Sequence, residues 1–212
     1  CIAAQKKWPK SEGALECLGI KEEIERKSVR ITLDSDLVPG ERNIAKLNFR
    51  NVNTIYLKLV EATGRMDRGK DEITLMSELN QSSTVAEWSM RVDDPGDFME
   101  HSAFADITPV MQGCYYLLAS TGPYFNSGDC IAYEYLECNG IRFLNMVQNN
   151  GTLYGRAVDT RSGKPIPDCK YTVWKTNYND ELVKVATSGI TGSDGYILVE
   201  GLANSRYRIE LE

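Results

Sequence analysis

The chain has 212 residues, 42% of them hydrophobic and 25% charged, with a formal net charge of -6. That balance excludes a disordered or collagen-like polymer, and the acidic surface argues against nucleic acid or an anionic membrane as partner. No apolar run approaches the roughly 20 residues that span a bilayer, so membrane insertion by this segment is not expected.

Residues 1–27 read as a short helical hairpin. Ile2, Ala3 and Ala4 precede a break at Trp8-Pro9, and Ser11 stands as an N-cap with Ala14 three residues on. Ala14, Leu15, Leu18, Ile20 and Ile24 then recur at roughly helical spacing to about Arg26. A lone hairpin cannot bury its own apolar face, so docking against an upstream region or the following sandwich is expected.

From Ser28 the period switches to two. Val29, Ile31 and Leu33 alternate with polar residues, and Val38-Pro39-Gly40 makes a turn. Strands are predicted at 44–49, 55–60, 73–76, 86–92, 104–110, 115–120 and 131–137. No ten-residue amphipathic helix is predicted between them, which points away from βαβ units. Residues 28–148 are therefore expected to form one antiparallel β-sandwich, and 149–212 a smaller one. In the second unit strands are predicted at 152–158, 169–175, 183–190, 196–199 and 207–211, with loop formers at 159–165 and a tight turn at Gly192-Ser193-Asp194-Gly195. At about 60 residues that unit sits near the lower size limit for an independent core.

Candidate chemistry is sparse. His101 is the single histidine and so the one side chain poised for general-base work near neutral pH; its stretch, 98–103, reads as a surface loop. Asp93, Asp94 and Asp97 cluster and offer oxygen ligands to calcium, but without an EF-hand pattern they read as a solvated turn. Tyr115, Tyr116, Tyr124, Phe125, Tyr133 and Tyr135 crowd one region. Alternation puts Tyr133 and Tyr135 on one face, as core or as a platform for sugar rings.

The cysteines are Cys1, Cys17, Cys114, Cys130, Cys138 and Cys169, with no Cys-x-x-Cys pair and no zinc spacing. Most read as small buried hydrophobes, and Cys1–Cys17 across the hairpin is the one local pairing entertained. Cys1 also admits a lipidated mature N-terminus, although the helical pattern that follows at once is unlike a flexible tether. With no initiator Met and no signal peptide, a processed or excised piece is expected. No catalytic, cofactor-binding or metal site is assigned, and no cofactor is expected.

Two groups of motifs carry a family resemblance. Gly155-Arg156-Ala157-Val158-Asp159, Ser162-Gly163-Lys164-Pro165-Ile166-Pro167, Ser193-Asp194-Gly195-Tyr196 and Gly201-Leu202 resemble carboxypeptidase regulatory-like domains and the macroglobulin domains of bacterial alpha-2-macroglobulins. The run Phe49-Arg50-Asn51-Val52-Asn53-Thr54-Ile55-Tyr56-Leu57-Lys58-Leu59 and the strand Gly113-Cys114-Tyr115-Tyr116-Leu117-Leu118-Ala119-Ser120 are similar to strands of the large bacterial alpha-2-macroglobulin family. Trp8-Pro9-Lys10-Ser11-Glu12-Gly13-Ala14 resembles a helical region that precedes such domains.

The resemblance implies immunoglobulin/macroglobulin-like sandwiches in tandem, acting as non-catalytic scaffold of a cell-envelope inhibitor that traps peptidases. It implies target proteases as partners of the full-length protein, neighbouring domains of the same chain as internal partners, and a periplasmic or cell-surface location, with or without a membrane anchor. The Cys-x-x-Gln thioester of some members has no match here, since Cys17 is followed by Leu-Gly-Ile and Cys138 by Asn-Gly-Ile. The rival reading is a surface module that binds glycans or mediates adhesion.

Overall fold

The computed structural model describes residues 2–33, 37–62, 70–107, 110–126, 128–149, 151–178 and 181–212. Cys1, and with it the Cys1–Cys17 pairing, lies outside them, as does most of the charged loop that follows residue 62.

The chain opens with α1 (Ile2–Lys7) and α2 (Glu12–Glu25). The Trp8-Pro9 break separates them as the sequence indicates, and the Ser11 side chain accepts a hydrogen bond from the Ala14 amide at 3.3 Å. That bond satisfies one of the donors a helix start leaves unpaired. Ala14 is buried, whereas Trp8, Leu15, Leu18, Ile20 and Ile24 are exposed. The far end of α2 is tied down by Asn51, whose side-chain amide donates to the carbonyls of Ile24 (2.7 Å) and Arg26 (3.0 Å).

The first sandwich pairs β1 (Ser28–Thr32), β2 (Asn43–Arg50) and β5 (His101–Ile107) in one sheet. The other contains β3 (Thr54–Ala62), β4 (Thr84–Arg91), β6 (Gly113–Ser120) and β7 (Ile131–Cys138) in the order β4-β3-β6-β7. All the pairings are antiparallel. Val29 and Ile31 of β1, Leu47 and Phe49 of β2, and Ile55, Leu57 and Leu59 of β3 point inward at alternate positions. They meet Leu117 and Ala119 of β6, together with Leu136 and Cys138 of β7, in one continuous core.

The strand predicted at 73–76 is a helix, α3 (Glu72–Gln81), so the expectation of no ten-residue helix within this unit is also corrected. Ile73 and Leu75 mimic a strand alternation, but the residue that decides is Asp71. Its carboxylate accepts the Thr74 amide at 2.9 Å as an N-cap. Leu75 and Leu79, four residues apart, then share the buried face, while Ile73 is 84% exposed. They pack with Val60, Tyr116, Leu118 and Phe125 in a second cluster. β6 is consequently buried on both faces, and its apolar run Tyr115–Ala119 follows from that.

The second unit starts earlier than the sequence suggests. β8 (Ile141–Asn149) pairs along its length with β9 (Thr152–Asp159), so residues 141–148 belong with the second sandwich and not the first. β12 (Tyr196–Val199) lies on the other side of β9, giving the sheet β8-β9-β12. The opposing sheet has β10 (Lys170–Thr176) between β11 (Leu182–Ile190) and β13 (Arg206–Leu211). Its core is small: Leu153, Ala157, Cys169, Val173, Ile197 and Val199, with Ile141, Phe143 and Ile209 partly buried against it.

The turn motifs act as steric devices. Gly195 has φ 72°, and a Cβ there would sit 2.7 Å from the Ala157 carbonyl oxygen. That carbonyl accepts the Ile166 amide at 3.0 Å, and the Ala157 amide donates to the Gly195 carbonyl at 2.9 Å. Gly195 thus lets the Gly-Lys-Pro segment and the Ser-Asp-Gly turn close on β9 together.

Candidate functional site

Three places bring together the residues that sequence reasoning singled out. The first is the start of β5. His101 begins that strand instead of lying in a loop; its Nε2 is 2.8 Å from Asp97 Oδ1. Asp97 also accepts the Met99 amide at 2.9 Å, and the His101 contact leads the causes that lower its pKa. Ligand atoms of Asp94, Asp97 and His101 all lie within 4.8 Å of one another. The trio therefore differs from the expected Asp93, Asp94 and Asp97: His101 takes the place of Asp93 and adds a nitrogen donor. Of the described residues these three could together hold a divalent cation. Asp94 Oδ1 is already engaged by the Gly96 amide at 3.0 Å.

The second place is the aromatic group. Tyr116 and Phe125 are buried, and Tyr133 and Tyr135 lie 6.3 and 5.3 Å from the Tyr116 ring centroid, all within the α3 cluster. The alternation reading of Tyr133 and Tyr135 holds, with the shared face turned to packing. Tyr124, 79% exposed, is what remains of the sugar-stacking platform.

The third place is the junction between the sandwiches, which sequence reasoning did not anticipate. A cleft of about 470 Å³ is lined by Cys114, Glu137 and Asn139 from one unit and by Arg142, Arg208 and Glu210 from the other, among others. Beside it the Tyr135 phenol lies 3.0 Å from Glu137 Oε1 and 3.1 Å from Cys114 Sγ. Desolvation, then those two neighbours, push that phenol far above its ordinary pKa, so it stays protonated and donates to the carboxylate. Arg161 of the second unit reaches Glu41 of the first at 2.6 Å, and the Thr160 amide donates to the Gly140 carbonyl at 3.0 Å. Glu41 and Arg161 are 120 positions apart, so no local pattern could have paired them. The seam is polar, with balanced charge, the composition of an interface that permits movement between domains.

No protein-family model matches the chain, and no curated protein matches it by sequence. Comparison of folds is informative instead. The chain superimposes on a segment of native alpha-2-macroglobulin from Escherichia coli spanning domains NIE-MG1, with TM-score 0.58 and 12% identity, covering 87% of this chain and 93% of that one. The chain has a macroglobulin-type fold. A longer segment of the same Escherichia coli protein, spanning MG0-NIE-MG1, gives TM-score 0.57 and 13% identity over 88% of this chain, which spans 64% of that segment. At such identity the likeness concerns the fold alone. The macroglobulin-type fold agrees with the tandem order, and the polar seam and the side-chain groups above belong to this chain's own sequence.

Proposed function

We propose that this chain is a non-catalytic scaffold segment of an alpha-2-macroglobulin-like protease inhibitor that traps peptidases at the cell envelope, in the periplasm or at the cell surface. The observation that carries the reading is the fold match, over 87% of the chain, to a segment of a bacterial alpha-2-macroglobulin spanning domains NIE-MG1. The strand and turn motifs quoted above agree with it. On this reading the chain supplies relative domain movement: neighbouring domains of the same protein bear on it, and the polar seam around Glu41 and Arg161 yields when they shift. Target proteases are partners of the full-length protein through trapping.

The test is made on the full-length protein incubated with trypsin. Trapping leaves hydrolysis of a small chromogenic peptide intact while hydrolysis of casein falls, because a caged protease admits small substrates and excludes large ones. Equal loss of both activities, or loss of neither, contradicts the proposal.

A further inference from the structure

The outer face of the β8-β9-β12 sheet carries a group of side chains that neither core uses. Tyr196 stands directly across from Arg156, and Leu198 from Tyr154, so all four share that face. Leu144, on the opposite side of Arg156, joins them. Leu144 is 44% exposed and Leu198 56%. Within this apolar surround the rings of Tyr154 and Tyr196 stack with centroids 5.4 Å apart and planes 6° from parallel. The Arg156 guanidinium lies 4.3 Å from the Tyr196 ring centroid.

That guanidinium is held by stacking: its Nε is buried without a hydrogen-bond acceptor, and none of the described carboxylates forms an ion pair with it. Asp194 Oδ1 is instead engaged by the Tyr196 amide at 3.2 Å. The terminal guanidinium nitrogens are not among the buried unsatisfied atoms, so a carboxylate from outside can pair with them. Arginine and tyrosine fixed by mutual stacking lose little conformational freedom on binding, which is why such residues anchor protein interfaces.

We propose that this face docks an extended protein segment that presents a carboxylate to Arg156 and, at alternate positions on either side, apolar side chains to Leu144 and Leu198. The spacing follows from strand geometry, in which residues two apart point the same way about 6.6 Å apart. Charge selects this occupant: Arg156 forms no ion pair among the described residues and an acidic segment supplies one, while a second copy of the chain is an outcome that the test separates. The proposal concerns the second sandwich alone and does not depend on protease trapping.

The experiment is an NMR titration of the 212-residue chain with an acetylated pentapeptide of sequence leucine–serine–glutamate–serine–leucine, which when extended sets the carboxylate between two leucines on one face, and with its counterpart carrying lysine at the centre. Saturable shifts in the amides of residues 142–146, 153–157 and 196–199 with the glutamate peptide alone support the proposal. Binding by Arg156→Gln should be at least about tenfold weaker, with Arg156→Lys between the two, since a point charge replaces a fork. The amide spectrum of each variant reports that it is folded. Absence of shifts, equal response to the lysine peptide, shifts confined elsewhere, or unchanged binding by a folded Arg156→Gln each overturns it. So does concentration-dependent self-association in sedimentation that Arg156→Gln abolishes, which would make a second copy the occupant.

Discussion

The two sandwiches use the same device, alternating strands closed face to face, yet they differ in depth. The first encloses a core drawn from both sheets and adds α3 over its outer face, so that β6 is apolar on both sides. The second has, among the described residues, six buried hydrophobic residues in its core and leaves the outer face of β8-β9-β12 open. Hydrophobic stabilisation scales with area removed from water, so the first unit should fold on its own interactions. The second should lean on its turns and on its neighbour. The difference also separates tasks: the deep unit resists deformation, while the shallow one has surface available for partners.

The largest expected effect comes from the deep core. Leu57→Ala removes a fully buried side chain between the sheets and should cost about 2–5 kcal/mol, read as a lower urea midpoint. Leu79→Ala, under α3, should cost a similar amount and expose the Tyr116 cluster. Leu198→Ala on the open face of the second unit should stay within about 0.5 kcal/mol of the parent. If Leu198→Ala matched Leu79→Ala, the contrast between a covered and an open outer face would fail.

Next comes the turn on which the shallow unit depends. Gly195→Ala places a side chain at φ 72° and against the Ala157 carbonyl, at a cost of about 1–3 kcal/mol. Hydrogen exchange should register the loss in β9, β10 and β12 and leave β2, β3 and β6 protected.

The smallest effect is electrostatic and comparable in the two units. Asp106 in the first is lowered by the hydrogen bonds of Arg42, at 2.7 and 2.6 Å, and by its charge. Asp159 in the second is lowered by the Ser162 hydroxyl and amide. A carboxylate whose folded pKa lies below its unfolded one, about 3.9, stabilises the fold above that unfolded value. The contribution disappears as pH falls through the folded pKa. Both groups are solvent-exposed, so the change should be slight and salt-sensitive. Carboxyl-detected NMR should place both aspartates below the ordinary range and show Asp106 alone rising in Arg42→Ala.

Much of this contrast was legible in the sequence, because alternation at Val29-Ile31, Leu47-Phe49 and Ile55-Leu57-Leu59 reports a half-buried strand directly. α2 was legible through the Ser11 cap and the Trp8-Pro9 break. α3 was not, since Ile73 and Leu75 satisfy a strand period and the Asp71 cap adjoins an uninformative charged loop. β8 was missed although Ile141 and Phe143 alternate, because the Asn149-Asn150-Gly151 signal reads as a domain boundary, whereas Asn149 pairs with Thr152 within the second unit. Of the site residues, the aspartates near residue 95 were visible as a cluster. Their partner His101 was visible only as a residue type, because strand pairing and a left-handed Phe98, φ 62°, bring it round to Asp97. The seam pair depends on how two loops of different sandwiches meet, and the Tyr154–Tyr196–Arg156 stack on cross-strand register, neither of which local sequence encodes.

The most direct test of two unequal units, with the division near residue 140, is native-state hydrogen exchange of the intact chain at increasing sub-denaturing urea. The account predicts that the amides of β8 open together with those of β9–β13, at a lower urea concentration than the amides of β2, β3 and β6. Opening of β8 with the first sandwich, or of the whole chain as one unit, would contradict it.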